Sequence, residues 1–287
     1  MRQDERAPFV RALAAARVSA YPPGEYVEQE SFMRADEILA LAVRAAIAPG
    51  VAVLDLCCGV AGPGRFITRQ LGCSYLGVDA SASAIAIARE RARELPCRFE
   101  VMRIPPVPRG GFDVVLLLET MLAFPDKAVL VQEIAAALGA GGRFAFTLEE
   151  GLPLTPAERE RMPDADTVWL TPLEEMVSAM EGAGLVVRCL EDRSASHAAV
   201  AESLIAAFVA DADAIAAQIG HRALDELLAA HRLWSQWLRD GRVRKIECVA
   251  KKSNETIRRS YVVEARRAPD APRCAQAHAR SDKERRQ

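Results

Sequence analysis

Short, unbroken apolar runs recur along this chain at intervals that a helix can fill, and this alternation constrains the fold more than any other feature. The run V-V-L-L-L at 114–118 is the plainest of them. A strand without alternating polar positions must be covered on both faces, which is the condition of a parallel sheet flanked by helices. The pattern predicts strands at 51–56, 74–79, 97–102, 112–118, 142–148 and 184–190. Helices are expected between them at 63–71, 82–94, 127–138 and 172–182. A last strand, R-K-I-E-C-V-A-K, follows a long helical stretch. The expected fold is a doubly wound, Rossmann-like α/β sheet.

Outside that rhythm, residues 3–19 and 30–48 read as helices, the second entered through Ser31 and closed by Pro49-Gly50. The connector Y-P-P-G-E-Y-V-E-Q lies between them. Residues 1–50 are taken as a helical segment closing over the site and 51–252 as the main domain. Lid segments are expected at 150–171, rich in proline, and at 193–241, where 198–240 reads as two helices joined near Gly220. The charged stretch 253–287 reads as a mobile tail. The seven cysteines contain no C-x-x-C pair, so neither a disulfide framework nor a metal ribbon is expected. No span suits a bilayer, acids interrupt the N-terminal basic residues, and the formal charge is −2. A cytoplasmic protein with no membrane or nucleic-acid partner is expected.

The motif V-L-D-L-C-C-G-V-A-G-P-G-R-F, at 53–66, turns the first strand into the first helix of the sheet. Such bends at strand carboxyl ends bind nucleotide-like ligands. A P-loop requires Lys and Ser/Thr after Gly64, where Arg65-Phe66 stand. A dinucleotide site requires a third glycine, where Ile67 stands, and Asp55 would repel a pyrophosphate. A ligand with an adenosine end, no phosphate and a cationic amino-acid part suits the motif better. Asp55 would receive the ammonium, directly or through water, Gly59 would admit the backbone close to the ligand, and Asp79 would take the ribose hydroxyls. S-adenosylmethionine has that chemistry.

V-L-D-L-C-C-G-V-A-G followed by L-G-V-D resembles the first two motifs of class I S-adenosylmethionine-dependent methyltransferases. F-D-V-V-L-L-L-E and L-G-A-G-G-R-F-A-F resemble that family's fourth-strand and fifth-strand signatures. The late helical insert is similar to that of small-molecule methyltransferases of the sarcosine/dimethylglycine and natural-product type. The resemblance implies a seven-stranded sheet with its last strand antiparallel, and S-adenosylmethionine as cofactor. It implies cofactor contacts from Asp55, Cys57, Gly59, Ala61, Asp79, Ala80 and Glu119. Cys57 and Ala61 replace two glycines of the family pattern, a substitution expected to work with negative φ at both. Met102 and Arg103 stand where the family has an acid holding adenine, so both are expected at the cofactor, with Met102 covering the ring.

Acceptor-side residues are expected on loops at the strand carboxyl ends. Glu119 and Glu149 emerge there, and His197 follows the sixth strand as a candidate general base. Tyr26, Glu150, Trp169 and Trp237 are candidates for binding a small-molecule acceptor, with no metal. The function so read is methyl transfer to nitrogen or oxygen of a small molecule by a monomer or homodimer. The alternatives are a non-methylating displacement or cyclisation using the same cofactor, or a non-catalytic partner subunit with the same fold.

Overall fold

The computed structural model describes residues 11–253. The first residues of the expected 3–19 helix, and all but the start of the 253–287 tail, lie outside them. The described residues form one seven-stranded sheet in the order β3-β2-β1-β4-β5-β7-β6. Its strands are β1 (Ala52–Leu56), β2 (Ser74–Asp79), β3 (Cys97–Val101), β4 (Phe112–Leu117), β5 (Leu138–Glu150), β6 (Leu185–Asp192) and β7 (Arg244–Lys252). Pairings from β3 across to β5 are parallel, and β7 runs antiparallel between β5 and β6. The chain reverses strand order between β1 and β4, and sheets of this kind bind ligands at the strand carboxyl ends beside such a reversal.

The apolar strands divide the core into two layers. Leu54, Leu56, Leu117, Phe144, Phe146 and Ile246 point to one face. Helices α5 (Lys127–Ala137) and α7 (Leu173–Gly182) cover it with Leu130, Ile134, Met176 and Met180. Val53, Tyr75, Val114, Ala145 and Val249 point to the other. There α2 (Ala35–Arg44), α3 (Gly62–Leu71) and α4 (Ala82–Arg91) bring Ile38, Leu41, Ile67 and Ile85. Each fully buried leucine or isoleucine contributes about 2–3 kcal/mol of transfer free energy, which fixes strand direction and register.

Several boundaries differ from expectation. Helix α2 begins at Ala35 with Arg34 as N-cap, because the Glu37 carboxylate accepts the Arg34 N–H at 2.9 Å. Strand β5 extends to both sides of 142–148, since β4 pairs with its start at Leu138 and β7 pairs with it from Arg143 to Glu150. The 150–171 segment contains α6 (Pro156–Arg161), capped by a reciprocal Thr155–Glu158 box. The stretch read as two helices is three: α8 (Ser194–Ala210), α9 (Ala212–Ile219) and α10 (His221–Asp240). Helix α8 starts before residue 198, so His197 lies within its first turn rather than ahead of it.

Helices α8, α9 and α10 share a core with α1 (Arg11–Ala20) through Ala16, Leu204, Phe208, Ile215, Leu224 and Leu228. No described helix is long and apolar enough to cross a membrane.

Candidate active site at the strand carboxyl ends

The bend after β1 adopts left-handed backbone at alternate residues: Cys57 (φ 58), Gly59 (φ 54) and Ala61 (φ 57). The negative φ expected at Cys57 and Ala61 is therefore corrected. These side chains keep the three-residue conformation that glycine would adopt freely, at about 1 kcal/mol each. A Cβ on Gly59 would meet nothing within 4 Å, so this is where the bend faces open space. Gly62 and Gly64 serve packing instead. A Cβ on Gly62 would overlap the carbonyls of Val27 and Glu28, and one on Gly64 would overlap the Tyr75 ring.

The connector at 21–33 thus lies directly on the start of α3. Arg65, at the position that weighed against a P-loop, is buried and pairs with Glu28, which also pairs with Arg91 at 2.7 Å.

Asp79 ends β2 with its carboxylate half-buried and fixed on two backbone donors. Gly59 N–H reaches one oxygen at 2.9 Å and Ser81 N–H the other at 2.8 Å. Helix α4 is capped by Ser81, whose hydroxyl accepts Ala84 N–H, so Asp79 is not needed as its cap. Asp55 faces into the sheet. Its carboxylate is 4% exposed and accepts the Tyr75 hydroxyl at 2.5 Å, bracing the bend from inside the sheet. Burial pushes its pKa up to about 7, against the pull of the Tyr75 bond and with a smaller upward push from Asp79. Met102 is half-buried and donates its N–H to the Asp79 carbonyl at 2.8 Å, while Ala80 and Arg103 are exposed.

Farther along the sheet, the ends of β4 and β5 carry a buried ionic cluster with β7. Glu119, at φ 60 just after β4, donates its N–H to Thr147 Oγ1 at 2.6 Å. Its carboxylate lies 2.7 Å from Lys245 Nζ. Glu149 is the direct cross-strand neighbour of Lys245 and pairs with the same ammonium. Burial pulls the Lys245 pKa down, but Glu119 and Glu149 together carry it above its ordinary value. Burial raises the Glu149 pKa, and the opposing pull of Lys245 does not restore it.

His197 is fully buried beside this cluster, with Nδ1 3.9 Å from Glu119 Oε2 and Nε2 3.7 Å from Glu37 Oε2. Burial, then the charges of Lys245, Arg193 and Arg34, hold its pKa well below the usual imidazole value, so it is neutral. Buried ion pairs of this kind add little net stability, because desolvation offsets attraction. Stability alone is thus a weak reason for the cluster.

Residues 53–142 match the protein family described as a methyltransferase domain. The chain is 31% identical over 106 residues to methyltransferase GfsG of Streptomyces halstedii, covering 35% of this chain and 38% of that protein. It is 32% identical over 113 residues to phosphoethanolamine N-methyltransferase 1 of Arabidopsis thaliana, covering 38% and 23%. The matches therefore span well under half the length of these relatives. This segment is a methyltransferase domain.

The fold likeness of the methyltransferase domain extends further than the sequence likeness. Phosphoethanolamine N-methyltransferase 2 of Haemonchus contortus, solved with S-adenosyl-L-methionine, superposes with a TM-score of 0.71 at 19% identity, covering 87% of this chain and 59% of that one. The [4+2]-cyclase SpnF superposes at 0.69 and 20% identity, covering 87% and 95%.

S-adenosylmethionine is the family's cofactor, and the first two motifs here fit it in part. The open side of Gly59 and the fixed Asp79 carboxylate, which uses two of its roughly four acceptor positions, suit the ribose end.

The structure brings Glu119, Glu149 and His197 together, although they come from three separate elements. It separates the acceptor candidates. Trp237 is 4% exposed, in a core with Leu154, Met162, Leu170 and Leu233, so its expected place against substrate is corrected. Glu150 is tied to Arg244 at 2.8 Å and accepts the Leu173 N–H. Trp169 is 38% exposed, with Arg159 5.2 Å from its ring centroid. Tyr26 is half-buried, its ring centroid 5.4 Å from that of Tyr21.

Sequence reasoning missed Lys245, Glu37 and Tyr75. In β7, Lys245 and Glu247 alternate with Ile246 and Cys248, and that two-residue period in a central strand was the available signal.

Proposed function

We propose that this chain binds S-adenosylmethionine across the bend of residues 57–61 and catalyses methylation of nitrogen or oxygen on a small molecule. The observation that carries the reading is Asp79, its carboxylate locked by Gly59 and Ser81 amides beside the open face of Gly59. When bound, the cofactor supplies an activated methyl carbon. The chain's residues position the acceptor and hold its proton. Glu119, whose side chain keeps 13% of its surface exposed at the end of β4, is the group placed to receive that proton. Lys245 and Glu149 fix where its carboxylate points.

Helices α8–α10 and the 151–171 segment form the lid in this reading. Arg242 holds the segment by a two-pronged contact with Glu158 and by bonds to the Leu152 and Pro153 carbonyls. The connector at 21–33, clamped through Glu28, closes the cofactor side.

Titration calorimetry with S-adenosylmethionine tests the reading. The parent protein should bind, and Asp79→Ala should weaken binding at least about tenfold, by removing a charged hydrogen-bond partner worth about 1.5–3 kcal/mol. No binding by the parent ends the proposal. With methyl-labelled cofactor, label appearing on an added small molecule marks transfer. Turnover of a substrate with the label left on the cofactor would favour the non-methylating alternative.

A further inference from the structure

His197 has an unusual position for a histidine: it is wholly buried, yet neither ring nitrogen has a hydrogen-bond partner among the described residues. Each nitrogen nevertheless faces a carboxylate oxygen at 3.7–3.9 Å, Glu37 on one side and Glu119 on the other. A contraction of about 1 Å on either side would make a hydrogen bond. The two carboxylates differ in what else they touch. Glu119 lies against the Lys245 ammonium at 2.7 Å, so an N–H on Nδ1 would point its positive end toward that cation. Glu37 is 2% exposed and accepts Ser196 Oγ–H at 2.5 Å and the Arg34 N–H at 2.9 Å, with the Arg34 guanidinium 4.0 Å away. It is therefore held in place, with no lysine beside it.

The other groups around the ring are Arg193 at the start of α8, whose charge is directed to Glu247 at 3.1 Å, and the Phe32 ring, edge-on at 6.3 Å. Neither offers the imidazole a hydrogen-bond acceptor.

We propose that Glu37, from α2, is a positioning residue that keeps the His197 proton on Nε2, so that Nδ1 presents its lone pair to Glu119. The arrangement then couples three groups. As the acceptor's O–H or N–H bond breaks, its electron pair stays on the acceptor atom and its proton passes to Glu119. The protonated Glu119 donates a hydrogen bond to the Nδ1 lone pair, and the imidazole stays neutral. Release of that proton to solvent restores the Glu119 carboxylate. The coupling rests on the methyltransferase reading for its use, while the tautomer is a property of the protein alone. It also assigns Glu37 work that no motif of the domain contains, since α2 precedes β1.

The test is nitrogen NMR of the full chain labelled with 15N-histidine, with His197 resonances identified by their loss in His197→Gln. The proposal expects a protonated Nε2 and a bare Nδ1 at neutral pH. In Glu37→Gln, it expects a shift toward Nδ1 protonation or a mixture of tautomers. Glu37→Asp, which keeps the charge, should retain most of the parental preference. A parental His197 protonated on Nδ1, or a tautomer that Glu37→Gln leaves untouched, overturns the proposal. If Glu37→Gln fails to fold, the parental spectrum still decides the assignment. Calorimetry with S-adenosylmethionine on the same parental sample separates the two ideas: absent binding ends the functional reading and leaves the tautomer result standing.

Discussion

At the residue scale, three glycines within six positions do different work. Gly59 needs its left-handed φ and faces open space, whereas Gly62 and Gly64 admit neighbouring atoms where a Cβ would stand. Gly59→Ala should fold with a loss of about 1 kcal/mol and lose cofactor affinity by at least about tenfold. Gly62→Ala and Gly64→Ala should each cost about 2–3 kcal/mol, through displacement of the 27–28 backbone and the Tyr75 ring respectively. Denaturant melts alongside calorimetry would separate the two kinds of glycine; an equal stability loss in all three would refute the distinction. The motif was legible as a glycine-rich bend after the first strand, but it could not tell which glycine faces open space. That depends on β2 and on the 21–33 connector, far away in the chain. The same reason hid the inward turn of Asp55, since Tyr75 meets it only through the parallel pairing of β1 with β2.

At the scale of elements, each strand and helix of the sheet was legible because its signal is local: apolar runs and turn residues. Less legible were the inserts, whose conformation depends on single long-range contacts. The 151–171 segment depends on Arg242, just before β7, which grips Glu158 and two carbonyls. Arg242→Ala should cost about 1–3 kcal/mol and loosen the segment before the sheet. Limited proteolysis should then cut first within 151–171, and an unchanged cleavage pattern would deny Arg242 that role. Helix α10 shows the same limit. Leu224, Leu228 and Leu238 are buried at helical spacing, while Trp237 is also buried because a second, insert-derived core covers its side of the helix.

At the scale of the whole molecule, buried carboxylates make stability depend on pH. Burial raises both Asp55 and Glu247 to about 7 in the folded state, above their ordinary carboxylate values. Between about pH 4 and pH 7 the folded protein therefore binds more protons at these groups than the unfolded chain does. Their contribution to stability is fully present at the acid end of that window and is lost as pH rises through about 7. Asp55→Asn, which cannot ionise, should gain on the parent by several degrees in melting temperature between pH 5 and pH 8. A constant difference between the two proteins across that range would show that Asp55 does not titrate as described.

What the chain determined by itself was the order and type of its sheet elements and the chemistry of the first bend, because apolar periodicity and glycine placement act within a few residues. It also supplied Glu119, Glu149 and His197 as separate candidates. Only the tertiary structure decided that these three meet, that Lys245 and Glu37 join them, and that Asp55 faces inward. Antiparallel insertion of β7 sets Lys245 opposite Glu149, and packing of α2 and α8 over that sheet face carries Glu37 to His197. Such encounters, between residues as far apart in the chain as Glu37 and His197, follow from how layers pack, and no local pattern encodes them.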